Sequence, residues 1–220
     1  MGRTNAVMVL AMAVWAGSAS VTPAFSQAAR AAPSVASTGE TVLTSAQLAA
    51  MAGARRPVVI SYSDPAGLTD LYRQGIQGKL RIAGYIGVDG RVHDAHVIES
   101  SRSAELDEAG VAAINTTTFK PAMDATGKAL AVQTTIPLEY WKDDLSNIGN
   151  KTCRDFVVDA DWHAKTFPEE RPNQLRSYSL ATGMFFAHSG TVPHADFQTI
   201  YQACAAHPEM KYLAAIMAAG

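Results

Sequence analysis

Two short stretches of the sequence place histidines beside aspartates, side chains that often bind metals or move protons. His93-Asp94-Ala95-His96 carries two imidazoles three positions apart, and Asp159-Ala-Asp-Trp-His163 carries three polar groups at alternate positions. Positions three apart on a strand point to opposite faces, so the first pair is predicted not to converge on a metal. An extended second stretch would hold its three groups on one face, which leaves a weak metal site as an alternative.

Common catalytic motifs are absent from the sequence. It contains no G-x-S-x-G, P-loop, H-E-x-x-H or dinucleotide-binding pattern, and the spacing of its serines, histidines and aspartates selects no triad. We therefore predict a protein that is not an enzyme, with no catalytic residue, no bound metal and no cofactor.

Cys153 and Cys204 are the only cysteines, and both lie in the C-terminal third of the chain. Neither belongs to a C-x-x-C pair, so redox catalysis is not predicted. In an oxidising compartment they are expected to form a disulfide, which would stabilise this segment by about 4 kcal/mol in the chain-entropy model. Two free buried thiols are the alternative.

The N-terminus has the features of a secretory signal peptide in the required order. Arg3 precedes an apolar run over residues 6–16, and the small residues Ala24 and Ser26 follow at the spacing of a cleavage site. The apolar run is shorter than the roughly 20 residues that a membrane-spanning helix needs. We predict a signal peptide over residues 1–26 and an exported protein. An uncleaved membrane anchor is the alternative.

Composition and charge limit the classes of partner. The chain is 48% apolar and 17% charged, with a formal net charge of -2, so it is expected to fold and not to bind nucleic acid. No block of like charges indicates a membrane surface as a partner either.

The middle of the chain has the alternation of a small sheet. Asp89-Gly90 predicts a hairpin turn between two apolar-alternating runs. A helix with apolar residues at helical spacing follows, capped by Ser103 or a neighbour, and a further strand ends the unit. The predicted order is β-β-α-β after one short helix, with the helices at 68–73 and 104–114 and the strands at 79–88, 92–99 and 131–140.

Four short motifs occur in this unit in a fixed order. They are Gln77-Gly78-Lys79, Val88-Asp-Gly-Arg-Val92, Val97-Ile-Glu-Ser-Ser101 and Phe119-Lys-Pro-Ala122. Together they resemble the TonB C-terminal domain family over about residues 65–140. The resemblance implies a periplasmic module that grips an extended peptide, the TonB box of outer-membrane receptors, at the edge of a three-stranded sheet. The corresponding edge strand is Val132, Gln133, Thr134, Thr135 and Ile136, and a purely structural strand is the alternative.

Other features of the TonB family are missing. A TonB protein that transduces energy has a Tyr-Pro pair before the first helix, an aromatic-rich segment before Phe-Lys-Pro, a long Pro-rich spacer and a membrane anchor. Here Gly67-Leu68 and Asn115-Thr-Thr-Thr118 occupy the first two positions, and no long Pro-rich spacer occurs. We therefore expect the fold and a strand-binding surface, and keep energy transduction as an alternative.

The C-terminal segment is predicted to be helical, with apolar runs at 178–188, 195–206 and 209–217. Thr152-Cys-Arg-Asp-Phe156, the run from Tyr178 to Gly190, and Cys204 followed by Pro208 resemble the HdeA-type periplasmic acid-stress chaperone family. The resemblance implies a disulfide-bonded helical protein that dimerises near neutral pH and opens in acid to hold unfolded clients. Clients would then contact Met184, Phe185 and Phe186. The alternative places these side chains in an ordinary core.

The predicted organisation is an α+β protein, with a small β-β-α-β TonB-C-like sheet domain followed by a disulfide-linked all-α domain. We predict a periplasmic binding protein whose partner is a protein or extended peptide of the cell envelope, with no membrane contact after cleavage. Chaperone activity and a homodimer are alternatives. The predicted boundaries are 1–26 signal peptide, 27–57 flexible leader, 58–141 sheet domain, 142–149 linker and 150–220 helical domain.

Overall fold

The computed structural model describes residues 41–191, 194 and 196–219. The predicted signal peptide and the predicted leader up to residue 40 lie outside the described residues. The described residues form one compact unit. No helix within the described ranges combines the length and the apolar character that crossing a membrane requires.

The first part of the chain is rich in strands, and the second part is helical. Seven strands and seven α-helices occur in the described residues: β1 (Val42–Leu43), α1 (Ser45–Ala50), β2 (Val58–Ser61), α2 (Leu68–Arg73), β3 (Gly78–Ile86), β4 (Val92–Glu99), α3 (Ala104–Thr116), β5 (Thr118–Lys120), β6 (Ala122–Met123), β7 (Ala129–Tyr140), α4 (Cys153–Thr166), α5 (Arg176–Ser189), α6 (Phe197–Ala206) and α7 (Tyr212–Ala219).

The main sheet has the order β1-β7-β3-β4, and β6 also pairs with β7. β7 and β4 each lie antiparallel to β3, whereas β1 lies parallel to β7. β2 and β5 form a separate two-stranded ribbon. The predicted α+β class and the central β-β-α-β order are therefore confirmed.

Alternation along β3 explains how the sheet holds α3. Leu80, Ile82 and Ile86 are buried on one face, and α3 packs its buried Leu106 and Ile114 into the same core. Ser103 caps α3 by accepting a hydrogen bond from the backbone N–H of Leu106. The helix can approach the sheet closely because Gly110 has no side chain.

The hairpin turn between β3 and β4 is present but needs only one residue with positive φ. Gly90 has φ 74°, and its N–H donates to the carbonyl oxygen of Gly87 at 3.0 Å. The Gly90 carbonyl oxygen in turn accepts from the N–H of Phe119 at 2.8 Å. A Cβ at Gly90 would lie 2.1 Å from the Phe119 carbonyl oxygen. The turn therefore requires glycine both for its conformation and for its contact with β5.

The stretch predicted as a flexible leader forms regular secondary structure from Val42 onward. β1 pairs with β7, α1 packs Leu48 into a small core with Ala122 and Val132, and Arg55 forms an isolated bridge to Met123. These contacts bury apolar side chains at the end of the sheet, so this segment is ordered by tertiary packing.

The helical part has its own core. Phe156 and Tyr212 are fully buried and stack with ring centroids 4.3 Å apart. Cys153 at the start of α4 and Cys204 in α6 form the expected disulfide. The predicted helical segment with its disulfide is confirmed, and α4, with 14 residues, precedes the three apolar runs that the sequence indicated.

The segment predicted as a linker packs between the two parts. Asp143 and Ile148 are buried, and Trp162 of α4 packs against the core of the sheet. Gly75 lies so close to α4 that a Cβ there would be 2.8 Å from the Val158 carbonyl oxygen. The sheet part and the helical part therefore contact each other directly.

Candidate functional site

β7 is the strand predicted to bind a peptide, and one of its two edges is fully engaged. It pairs with β3 without a register shift from Ile86↔Val132 to Gly78↔Tyr140. A further strand can therefore pair only with the opposite edge of β7.

The first part of that opposite edge is covered by the chain itself. β1 pairs with Ala131 and Val132, and the Ser45 hydroxyl of α1 donates to the carbonyl oxygen of Gln133 at 3.0 Å. The structure thus places Val132 and Gln133 of the predicted edge against the β1–α1 segment.

The bond to Ser45 also fixes which backbone groups face outward further along β7. Because successive residues of a strand direct their N–H and C=O groups to opposite neighbours, Thr135, Pro137 and Glu139 face the same side as Gln133. Pro137 has no N–H to donate and so fits an outward position, which leaves the ladder to β3 intact. Thr134 and Ile136 direct their backbone groups to β3.

No strand among the described residues pairs with this outer edge beyond Val132. A groove of about 300 Å³ lies where the covered part ends, and Gln133 and Thr134 line it together with Leu48 of α1. Arg56 supplies a cation at the same groove. The outer edge from Thr135 to Glu139 therefore combines unpaired backbone groups with an adjacent depression for a side chain.

β4 forms the other edge of the sheet and is less regular. Its pairing with β3 shifts register between Glu99 and Val97 and again between His96 and His93. Bulges interrupt the row of outward N–H and C=O groups that a partner strand would need. This edge is therefore a poorer template for strand addition than β7.

The second bulge in β4 overturns the expectation that His93 and His96 point to opposite faces. His93 pairs with Tyr85 and His96 with Ala83, two positions apart on β3, so both histidines share one face. The His93 Nε2 lies 3.1 Å from an Asp89 carboxylate oxygen, and His96 Nδ1 donates to the Asp94 carbonyl oxygen at 2.7 Å. In the described part of the chain, no three His, Cys, Asp or Glu side chains form a cluster suited to a metal.

The second histidine-aspartate stretch lies in α4 and is not extended. Asp159 is fully buried, and its carboxylate accepts from Lys151 Nζ at 2.5 Å and Lys142 Nζ at 3.0 Å. Burial raises the pKa of Asp159 above its ordinary value, although both ammonium groups oppose that shift. Lys151 also binds Asp143 at 2.8 Å. These groups form a buried ion cluster that joins α4 to the segment after β7, which is a structural role.

The predicted client-binding residues are only partly accessible. Met184 and Phe185 pack against the helical core, whereas Phe186 is 58% exposed. The three residues therefore do not form one exposed apolar surface.

Sequence reasoning missed the segment that covers the start of β7. Thr44 and Gln47 form a capping box, in which the Thr44 hydroxyl accepts from the Gln47 N–H and the Gln47 side chain accepts from the Thr44 N–H. The pattern Thr-x-x-Gln before Leu48 was the available signal for α1.

Comparison with known proteins finds a family match for the sheet part. Residues 70–141, about a third of the chain, match the family model described as Gram-negative bacterial TonB protein C-terminal. The solution NMR structure of the Pseudomonas aeruginosa TonB C-terminal domain is 25% identical, covering 40% of this chain and 88% of that one with a TM-score of 0.35. No curated protein matches the chain. The family match confirms the resemblance of the sheet part to the TonB C-terminal domain family. Residues 70–141 of this chain thus match the TonB C-terminal domain family.

Proposed function

We propose that the chain binds an extended peptide of an envelope protein by strand addition at the outer edge of β7. TonB C-terminal domains are periplasmic protein-interaction modules whose partners include outer-membrane receptors. The observation that supports this proposal is the outward-facing backbone of Thr135 and Glu139, which has no partner strand among the described residues. An incoming strand would receive hydrogen bonds from these two N–H groups and donate to the carbonyl oxygens on the same side.

The covered part of the edge defines where the peptide would end. β1 and Ser45 occupy the edge up to Gln133, so the bound strand would run along residues 134–139. A side chain near its end would enter the groove between α1 and β7, beside Leu48 and Arg56. The domain would thus recognise the backbone of the peptide along β7 and a side chain of the peptide at the groove.

A matched pair of variants tests the proposal. Thr135→Pro removes an outward N–H without removing a bond to β3, as the native Pro137 does two positions later. Thr135→Val keeps the N–H and changes only the side chain. Isothermal titration calorimetry with a synthetic TonB-box peptide of a receptor from the same organism should show at least a tenfold loss of affinity for Thr135→Pro and little change for Thr135→Val. Equal affinities of the two variants would contradict strand addition at this edge.

A second proposal concerns the helical part, which resembles HdeA-type chaperones in sequence. The observation that favours it is Phe186, a large apolar side chain that is 58% exposed on a helix next to the disulfide-linked core. If this part holds unfolded clients, residues 39–220 should suppress aggregation of a denatured client at pH 3, and Phe186→Ser should weaken the effect. The absence of suppression at both pH 3 and pH 7 would exclude this activity.

Export through a cleaved signal peptide completes the proposal. A mature protein that begins near residue 27 would support a periplasmic module released from the membrane. A mature protein that keeps residues 1–26 would instead support an anchored protein and the alternative of energy transduction. N-terminal sequencing of the protein purified from cells distinguishes the two.

A further inference from the structure

A cavity of about 340 Å³ lies where the sheet part meets the helical part. One wall comes from the start of β3 and the end of β4, and the other comes from α4 and the segment that leads into α5. Its volume falls at the lower end of the range for small-molecule sites. The cavity lies at the opposite end of β3 from the groove beside α1, so it is a separate site from the β7 edge.

A buried amide in its wall has an unused donor. Gln77 is 3% exposed, and its Oε1 accepts from the backbone N–H of Lys142 at 3.3 Å. That bond fixes the orientation of the amide, because a flipped amide would direct its NH₂ group at an N–H. The Nε2 atom is buried and has no hydrogen-bond partner among the described residues. A buried donor without a partner is unfavourable, and a ligand acceptor would satisfy it.

A cation lines the same cavity. The Arg176 guanidinium lies over the Trp141 ring, 4.9 Å from its centroid, and its Nε donates to the Asp143 carbonyl oxygen at 2.9 Å. No ion pair joins Arg176 to a carboxylate in the described part of the chain. Its remaining N–H groups are therefore available to an anion.

Each carboxylate in the wall already has a nitrogen partner. Glu99 lies 3.5 Å from Arg81, and Glu170 lies 3.1 Å from the His163 ring. The polar groups left over are therefore donors, and the ligand that complements them is an acceptor with negative charge. Three aromatic side chains form the apolar wall: Trp141, Trp162 and Phe167.

From this arrangement we propose that the cavity binds a small carboxylate with an apolar, preferably aromatic, body. The carboxylate accepts from Gln77 Nε2 and Arg176, and the body packs against the aromatic wall. The same chemistry is present in a free organic acid and in the C-terminal residue of a peptide. This inference does not depend on strand addition at β7.

Intrinsic fluorescence provides the test, because Trp141 and Trp162 are the only tryptophans in residues 39–220 and both line the cavity. Titration of this fragment with 3-phenylpropanoate should change the emission in a saturable way, with at least tenfold higher affinity than for 3-phenylpropanamide. N-acetylphenylalanine tests the peptide source: tighter binding than the free acid assigns the site to a C-terminus, and weaker binding assigns it to a free acid. Equal affinity for acid and amide, or no saturable change with either acid, would overturn the proposal.

Variants connect binding to the two donors. Gln77→Glu keeps the oxygen that accepts from Lys142 but replaces the Nε2 donor, so it should weaken phenylpropanoate binding at least tenfold. Gln202→Glu makes the same change on an exposed face of α6 and should have no effect. Because Gln77 is buried, Arg176→Gln provides an independent test at a half-buried position, with Arg91→Gln as its control. Unchanged binding in Arg176→Gln, in a protein with wild-type Tm, would refute the role of the guanidinium and the proposal.

Discussion

The Ser45 hydroxyl donates to the carbonyl oxygen of Gln133 across 88 positions of sequence, and this bond marks where the covered part of β7 ends. It depends on α1, whose first turn is held by the capping box of Thr44 and Gln47. The length of the open edge is therefore set by a segment outside the family match.

Loss of the α1 cap should loosen this cover. Thr44→Ala removes the side-chain acceptor and should destabilise α1 by about 1 kcal/mol. We expect amide hydrogen exchange at Ala131 and Gln133, whose N–H groups face β1, to accelerate about fivefold, since exchange there follows local opening of β1. Thr44→Ser keeps the acceptor and should exchange like the wild type. Unchanged exchange in Thr44→Ala would show that α1 does not control the cover.

The contact between the hairpin turn and β5 makes a second prediction. Gly90→Ala forces a residue with φ 74° to accept a side chain and places Cβ 2.1 Å from the Phe119 carbonyl oxygen. Gly127 has φ 89°, but no atom of the described residues lies within 4 Å of such a Cβ, so Gly127→Ala should cost only the conformational strain of about 1–2 kcal/mol. Urea unfolding should show a loss for Gly90→Ala that is larger by at least about 2 kcal/mol. Equal losses would mean that the turn moves away from β5 freely.

The buried ion cluster makes a third prediction. Lys151→Met leaves Asp143 and Asp159 without their shared ammonium group in a buried site, which should cost about 3–5 kcal/mol. Lys128→Met, at an exposed position, should change the free energy of unfolding by less than about 0.5 kcal/mol. A small effect of Lys151→Met would indicate that water reaches the cluster.

Acid should destabilise the protein below about pH 4. The backbone N–H of Thr199 holds the pKa of Asp196 below its ordinary value, and hydrogen bonds lower the pKa of Asp124 and Asp144 in the same way. A carboxyl group whose pKa is lower in the folded state than in the unfolded state stabilises the fold at any pH above its unfolded pKa. That stabilisation is lost as the pH falls through the folded-state pKa. Asp159, with its raised pKa, acts in the opposite direction but is a single group.

Asp196→Asn tests this account of the acid range. Asparagine keeps the N-cap acceptor of α6 but cannot titrate, so the dependence of the unfolding free energy on pH should become shallower between about pH 4 and pH 2. The measurement is urea unfolding at several pH values. An unchanged slope would assign the acid sensitivity to other carboxylates.

Local patterns in the sequence were sufficient for the centre of the fold. The alternation of β3, the Asp89-Gly90 turn and the helical spacing after Ser103 predicted elements that the structure contains, because each signal acts within a few residues. The order of the motifs around Phe119 then identified the family. These features depend on short-range geometry and on burial of one face.

Long-range contacts determine what the sequence did not reveal. The pairing of β1 with Val132 depends on packing between distant segments, and the bulge that brings His93 and His96 to one face arises from pairing with β3. The ion cluster around Lys151 likewise forms only when α4 meets the segment after β7. A capping pattern marks α1, but no local pattern marks these long-range contacts, so the cover of the edge and the cavity became visible only in three dimensions.

The most direct test of strand addition is residue-resolved amide hydrogen exchange of β7 with and without the TonB-box peptide. If the peptide pairs with the outer edge, the N–H groups of Thr135 and Glu139 should gain protection, whereas those of Thr134 and Ile136 should change little because they already bond to β3. This alternation is specific to a strand added at β7. Protection confined to β4 or to the helices, or equal changes at Thr134 and Thr135, would contradict the account.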